Sequence, residues 1–166
     1  MRAHEKAISY QFKMKNEIMT ILSALVFGSS FAGAQVITKA EDSPSAQALA
    51  ETLIQKHFRN MNDRNSSERR KRFEEIYSKE FYFADTSMAS VGFEGITSFI
   101  GHVQSGHAGF VFSPISVTLN HGIGCAIWNY GPKEDPKRIL GEDIFTIENG
   151  KLASMRVFLI SKPKTN

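Results

Sequence analysis

The sequence predicts an α+β domain: a curved antiparallel sheet with about three helices packed on its concave side. Three observations lead there. Apolar residues first recur at spacings of three and four, then from residue 81 onward mostly at a spacing of two, and the stretches of period two are separated by short turn sequences. Residues 39–45 (Lys-Ala-Glu-Asp-Ser-Pro-Ser) are polar, with Ser43 suited to a helix N-cap and Pro44 to a first helical position. Ala46, Leu49, Ala50, Leu53, His57, Phe58 and Met61 then form one apolar stripe, a first helix to about Met61. Residues 62–67 read as a turn, with Ser66 or Ser67 capping a second helix over 68–77 whose inward side is Phe73, Ile76 and Tyr77. A first strand is expected over 81–85. Ile96, Phe99, Ile100 and Val103 give a third helix over 95–104, with Gly101 as its weak point. Strands follow over 110–121, 123–130, 138–147 and 152–160, the last two joined through an Asn149-Gly150 hairpin turn. If the helices cover the concave face incompletely, a pocket results.

The first 34 residues read as an address: Arg2, Lys6, Lys13 and Lys15, an apolar stretch over 18–27, and Ala32-Gly33-Ala34 before Gln35. Met14 is an alternative start. An uncleaved anchor is the competing reading, since no charge lies between Glu17 and Lys39. In either case the positive-inside rule puts the rest of the chain across the membrane, secreted or periplasmic. The expected organisation is a leader over 1–34, a linker over 35–44, the domain over 45–162 and a tail over 163–166. Without the leader, 16 of the 20 basic and 15 of the 17 acidic side chains remain, so no general affinity for nucleic acid or anionic membrane is expected. Cys125, the single cysteine, excludes an internal disulfide and reads as a buried inert thiol.

The order of elements resembles the nuclear transport factor 2-like superfamily, in particular SnoaL-like polyketide cyclases and ketosteroid isomerases. The residues that carry the resemblance are Ile76-Tyr77 through Phe83-Ala84-Asp85, Gly95-Ile96, Trp128, the run from Gly141 through Asp143 to Phe145, and Asn149-Gly150-Lys151-Leu152 to Phe158. This resemblance implies a cystatin-like cone and, for some members, cofactor-free proton transfer. Other members only bind ligands or associate.

Three polar residues fall at pocket positions of that resemblance. Asp85 ends the first strand where the isomerase carries its general base, although an Asp there also suits an Asx turn with Thr86 and Ser87. Asp143 shares its strand face with Phe145 and Ile147, so it lines a cavity, pairs or titrates high. The resemblance implies a protonated oxyanion donor at this place, with Glu142 as the alternative inward acid. His57 stands on the apolar stripe of the first helix where the isomerase has a tyrosine; a satisfied core histidine is the competing reading. Asp85, Asp143 and His57 are therefore the candidate catalytic residues. Trp128 and Tyr130 share a strand face and would wall a small apolar or polycyclic ligand. Phe83, Phe99, Met155 and Leu159 complete the expected lining, and His102, His107 and His121 flank the expected mouth.

No metal is expected, because no H-x-x-x-H or H-E-x-x-H spacing occurs. Nor is a cofactor, since Gly122-Ile123-Gly124 opens a strand instead of a phosphate-binding helix. Residues 68–72 (Glu-Arg-Arg-Lys-Arg) read as a solvated helix face, and Asn65-Ser66-Ser67 as a sequon that matters only in a eukaryotic secretory route. The expected partners are a small molecule and a second copy of the chain across the exposed sheet face. No nucleic acid is expected, and no membrane once the leader is cleaved.

Overall fold

Ser43 holds extended backbone angles (φ −68°, ψ 154°) while its Oγ accepts from the Ala46 amide at 3.2 Å, which starts the first helix, α1 (Pro44–Asn62). The computed structural model describes residues 43–160, so the leader, most of the expected linker and the tail lie outside the described residues. The inward stripe of α1 is Ala50, Leu53, Ile54, His57, Phe58 and Met61, all buried. Helix α2 (Ser66–Ile76) is capped by Asn65, whose Oδ1 accepts from the Ser67 and Glu68 amides at 3.1 and 3.3 Å. Neither expected serine is the cap, because the Asn65 carbonyl reaches those amides first; the sequon asparagine is thus engaged in folding. Residues 68–72 are not a wholly solvated face either. Arg69 is buried and donates to the Asp63 carbonyl at 2.7 Å, and Arg72 pairs with the Asp63 carboxylate, so both pin the turn between the helices.

Tyr77 leaves α2 with extended angles (φ −114°, ψ 151°) and opens strand β1 (Tyr77–Ala84), four residues before the expected start. A short strand, β2 (Ala89–Val91), pairs back on it and was not expected. Helix α3 (Gly92–Gly106) then crosses to β3 (Val111–Asn120), β4 (Ile123–Gly131), β5 (Ile139–Glu148) and β6 (Lys151–Leu159). The sheet order is β2-β1-β6-β5-β4-β3. Strands β3 to β6 form the expected antiparallel meander, but β1 lies parallel to β6, so the six-stranded sheet is mixed. The α3 crossover causes this: it delivers the chain to the far edge, and the meander returns to β1 running in its direction.

Two hairpins turn tightly, at His121-Gly122 (φ 48° and 79°) and at Asn149-Gly150 (φ 50° and 75°), pairs that tolerate the left-handed region a two-residue turn requires. Register shifts at Pro114/Ser116 and Thr146/Ile147 bend the sheet. Pro114 is tolerated because β3 is an edge strand. Side chains alternate strictly along the middle strands, with Ala126, Trp128 and Tyr130 of β4 and Asp143 and Phe145 of β5 facing the helices. Cys125 falls on the opposite parity and is half-buried on the outer face, a correction to its expected burial.

Candidate functional site

Between α1, α3 and the inner sheet face lies a cavity of about 300 Å³. Phe58, Met61, Phe83, Phe99, Val103, Phe112, Trp128, Tyr130, Ile139, Val157 and Leu159 make its walls apolar. His57 and Asp143 are the fully buried polar residues among its lining, and Asp85, Thr86, Ser87, His102, Ser105 and His107 stand around its mouth.

Asp143 is only 2% exposed, at a position where β5 alternation forces it inward. Its Oδ1 accepts a hydrogen bond from Trp128 Nε1–H at 2.8 Å. The two residues meet because Trp128 is in register with Gly141, two residues before Asp143, and a Cβ at Gly141 would overlap the indole. Glycine there lets the ring lie flat across β5. Asp143 Oδ2 faces His57 Nε2 at 3.8 Å, beyond a direct hydrogen bond. The other side of His57 is held: Nδ1 and the Tyr77 hydroxyl are 2.9 Å apart.

The burial of this group sets its protonation. Desolvation raises the Asp143 carboxyl from 3.8 to about 7, with the Trp128 bond opposing the rise. Burial lowers the His57 imidazole from 6.5 to about 3, so it is neutral wherever the protein is folded near neutrality. Burial likewise pushes the Tyr77 phenol well above its ordinary value. Near neutral pH the cavity floor therefore presents a neutral imidazole beside a carboxyl of which a large share carries its proton. A ligand oxygen lodged between Oδ2 and Nε2 would meet a donor on either side if Tyr77 donates to Nδ1 and the imidazole proton sits on Nε2.

Asp85 is placed differently. It follows β1, half-buried at the mouth, and its Oδ1 accepts from the Ser87 amide, the Ser87 hydroxyl and the Met88 amide, each at 2.8 Å. This is the Asx-turn geometry, and Asp85 also borders the mouth of the cavity. The structure thus brings Asp143 and His57 together at the floor and keeps Asp85 apart from them.

Of the expected lining, Phe83, Phe99, Trp128, Tyr130 and Leu159 border the cavity. Met155 does not: it is 0% exposed, packed in the core behind the lining. His102 and His107 stand at the mouth, whereas His121 sits in the β3–β4 turn outside the lining. Glu142 faces outward, so the inward acid is Asp143. Sequence reasoning missed Tyr77 as the polar partner of His57. It took Tyr77 for the end of a helix, and only the early start of β1 turns its hydroxyl towards α1. Among the described residues no cluster of three His, Cys, Asp or Glu could hold a metal, and no helix is long and apolar enough to cross a membrane.

No protein-family model and no curated protein sequence matches the chain. Solved structures do. A SnoaL-like family protein of Agrobacterium tumefaciens, with a proposed isomerase role, superposes with a TM-score of 0.63 at 16% identity over 69% of this chain and 99% of its own. A proposed ketosteroid isomerase from Kribbella flavida gives 0.56 at 13% identity over 72% and 84%. An NTF2-like protein of unknown function from Cytophaga hutchinsonii gives 0.51 at 16% over 67% and 89%.

The chain has the nuclear transport factor 2-like fold. At these identities the likeness is one of fold. Within this fold the chain's own polar residues, Asp143, His57 and Asp85, carry any functional argument.

Proposed function

We propose that the domain is an exported, cofactor-free pocket protein that binds a small carbonyl compound and moves a proton on it, as an isomerase, cyclase or dehydratase does. The observation that carries this reading is the Asp143 carboxyl, buried, raised to about 7 and hydrogen-bonded by Trp128 at the floor of an apolar cavity. A protonated Asp143 donates to the carbonyl oxygen of the ligand, with His57 Nε2–H as the second donor. Both bonds strengthen as that oxygen gains charge on enolisation, in surroundings that exclude water. Asp85 Oδ2 accepts the proton from the carbon next to the carbonyl while its other oxygen stays fixed by Ser87 and Met88. The apolar walls fit a molecule held chiefly by its rings.

Proton exchange tests this reading: cyclic ketones are incubated with the protein in heavy water and loss of the α-proton signal is followed by NMR. Turnover by the parent, slowed by about 100-fold or more in Asp85→Asn and in Asp143→Ala, is the expected result. Binding without exchange would instead make the domain a ligand-binding module, and no binding at all would contradict both.

Export rests on the leader, and the mature N-terminus of the secreted protein, expected at Gln35, tests it by mass spectrometry. A homodimer through the outer sheet face is also part of the proposal. Ile123 and Phe158 are exposed there, 56% and 47%, and Glu142 and Arg156 on the same face offer opposite charges to a twofold copy. Light scattering should give twice the chain mass, reduced to one by Phe158→Glu; a monomeric parent would contradict it.

A further inference from the structure

The cavity wall is an aromatic ladder with a polar group at each end. Trp128, bonded to Asp143, lies edge-on to Phe112 with ring centres 5.2 Å apart. Phe112 stacks on Tyr130 at 4.0 Å, and Tyr130 meets the His107 ring at 5.5 Å. The ladder thus runs from the fully buried floor to the half-buried mouth, where His107 ends α3.

The state of His107 follows from one contact. Its Nδ1 lies 3.1 Å from the Val103 carbonyl, and a carbonyl can only accept, so Nδ1 carries the proton. In the neutral ring Nε2 is then a bare acceptor, and it has no partner among the described residues. Phe110, 4.9 Å from the ring and itself packed on Tyr130 at 5.1 Å, adds a second aromatic contact to the imidazole. The imidazole is held by one nitrogen and two aromatic contacts, with its free nitrogen available to whatever fills the cavity.

We infer that His107 reads a hydrogen-bond donor at the far end of the ligand from Asp143, so that the cavity selects a flat, bipolar compound: a carbonyl at one end and a hydroxyl or N–H at the other. Size narrows the class. An apolar cavity of about 150 Å³ takes one benzene ring; this one, at about 300 Å³, suits two fused rings. This inference rests on the proposed carbonyl site and makes His107 a specificity-determining residue.

Two matched probes, 1-tetralone and 6-hydroxy-1-tetralone, differ only in the distal hydroxyl. The parent should bind the hydroxyketone about two- to ten-fold more tightly by titration calorimetry, the range of one net hydrogen bond. His107→Asn keeps a donor for Val103 but withdraws the Nε2 acceptor, and should abolish the preference, the loss of ring contact falling on both probes alike. His107→Gln, which places an acceptor near Nε2, should retain most of it. A merely structural His107 would give losses for both probes alike. Equal binding of the two by the parent, or a preference that survives in His107→Asn, overturns the inference while leaving the carbonyl site standing. Failure of the parent to bind either ketone overturns both.

Discussion

Trp128 Nε1 donates to Asp143 Oδ1 at 2.8 Å, inside a wall otherwise built from rings and aliphatic groups. This bond is the favourable interaction that opposes the desolvation of the carboxyl, so it controls how readily Asp143 keeps its proton. Trp128→Phe removes the donor and keeps most of the ring. The Asp143 titration should then move upward, and isotope-edited infrared spectroscopy of the carboxyl stretch reads the change. A midpoint unchanged or lower in the variant would show that burial alone sets it.

Stability against pH separates the two buried groups. His57, lowered from 6.5 to about 3, contributes stability that is present above 6.5 and lost as pH falls towards 3. Asp143, raised from 3.8 to about 7, contributes stability that is present below 3.8 and lost as pH rises through 7. Between 3.8 and 6.5 the two slopes oppose one another. Relative to the parent, Asp143→Asn should therefore gain stability as pH rises over this window, and His57→Gln should lose it, each by at most about 1.4 kcal/mol per pH unit. Urea melts across the window measure both. Parallel curves for parent and variants would contradict the assigned protonation states.

Asp85 Oδ1 holds the turn, and the proposed function gives the carboxylate a second duty. Asp85→Asn keeps an oxygen for the Ser87 and Met88 amides, so stability should change by less than about 0.5 kcal/mol, while proton exchange on a bound ketone should be lost. Asp85→Ala removes the turn acceptor as well and should cost about 1–2 kcal/mol. Thermal melts beside exchange rates distinguish the two. Full exchange activity in Asp85→Asn would leave Asp85 with the turn alone.

Gly141 seats the indole, so Gly141→Ala should displace Trp128 and cost about 1–3 kcal/mol by overpacking. Trp128 is the only tryptophan in the chain, and its fluorescence reports on the same change. A native emission spectrum together with unchanged stability would mean the strand gives way without cost.

Much of this was legible in the residues. Period two placed Asp143 inward, and the three-and-four spacing of the first helix placed His57 on the buried side. Other features depend on geometry that no periodicity carries. Strand β2 has three residues, too few to show a period. The parallel pairing of β1 with β6 is a consequence of where α3 leads the chain, and the Tyr77–His57 contact depends on where the chain leaves α2 to open β1. Met155 has the right parity for the pocket but lies in register with Phe83 and Phe145, where the sheet is covered by core. Phe112, Ile139 and Val157 share the inward parity of Tyr130 and Asp143, but parity alone does not say which inward residues border the cavity.

The most direct measurement is the titration of the Asp143 carboxyl itself, followed by carbon NMR on selectively labelled protein with Asp143→Asn as the blank, first alone and then with a bound cyclic ketone. The expected midpoint is about 7 in the free protein, moving higher when a ligand carbonyl accepts from the protonated acid. A midpoint near the ordinary carboxylate value of about 4, or one that does not respond to the ketone, would contradict the role assigned to Asp143.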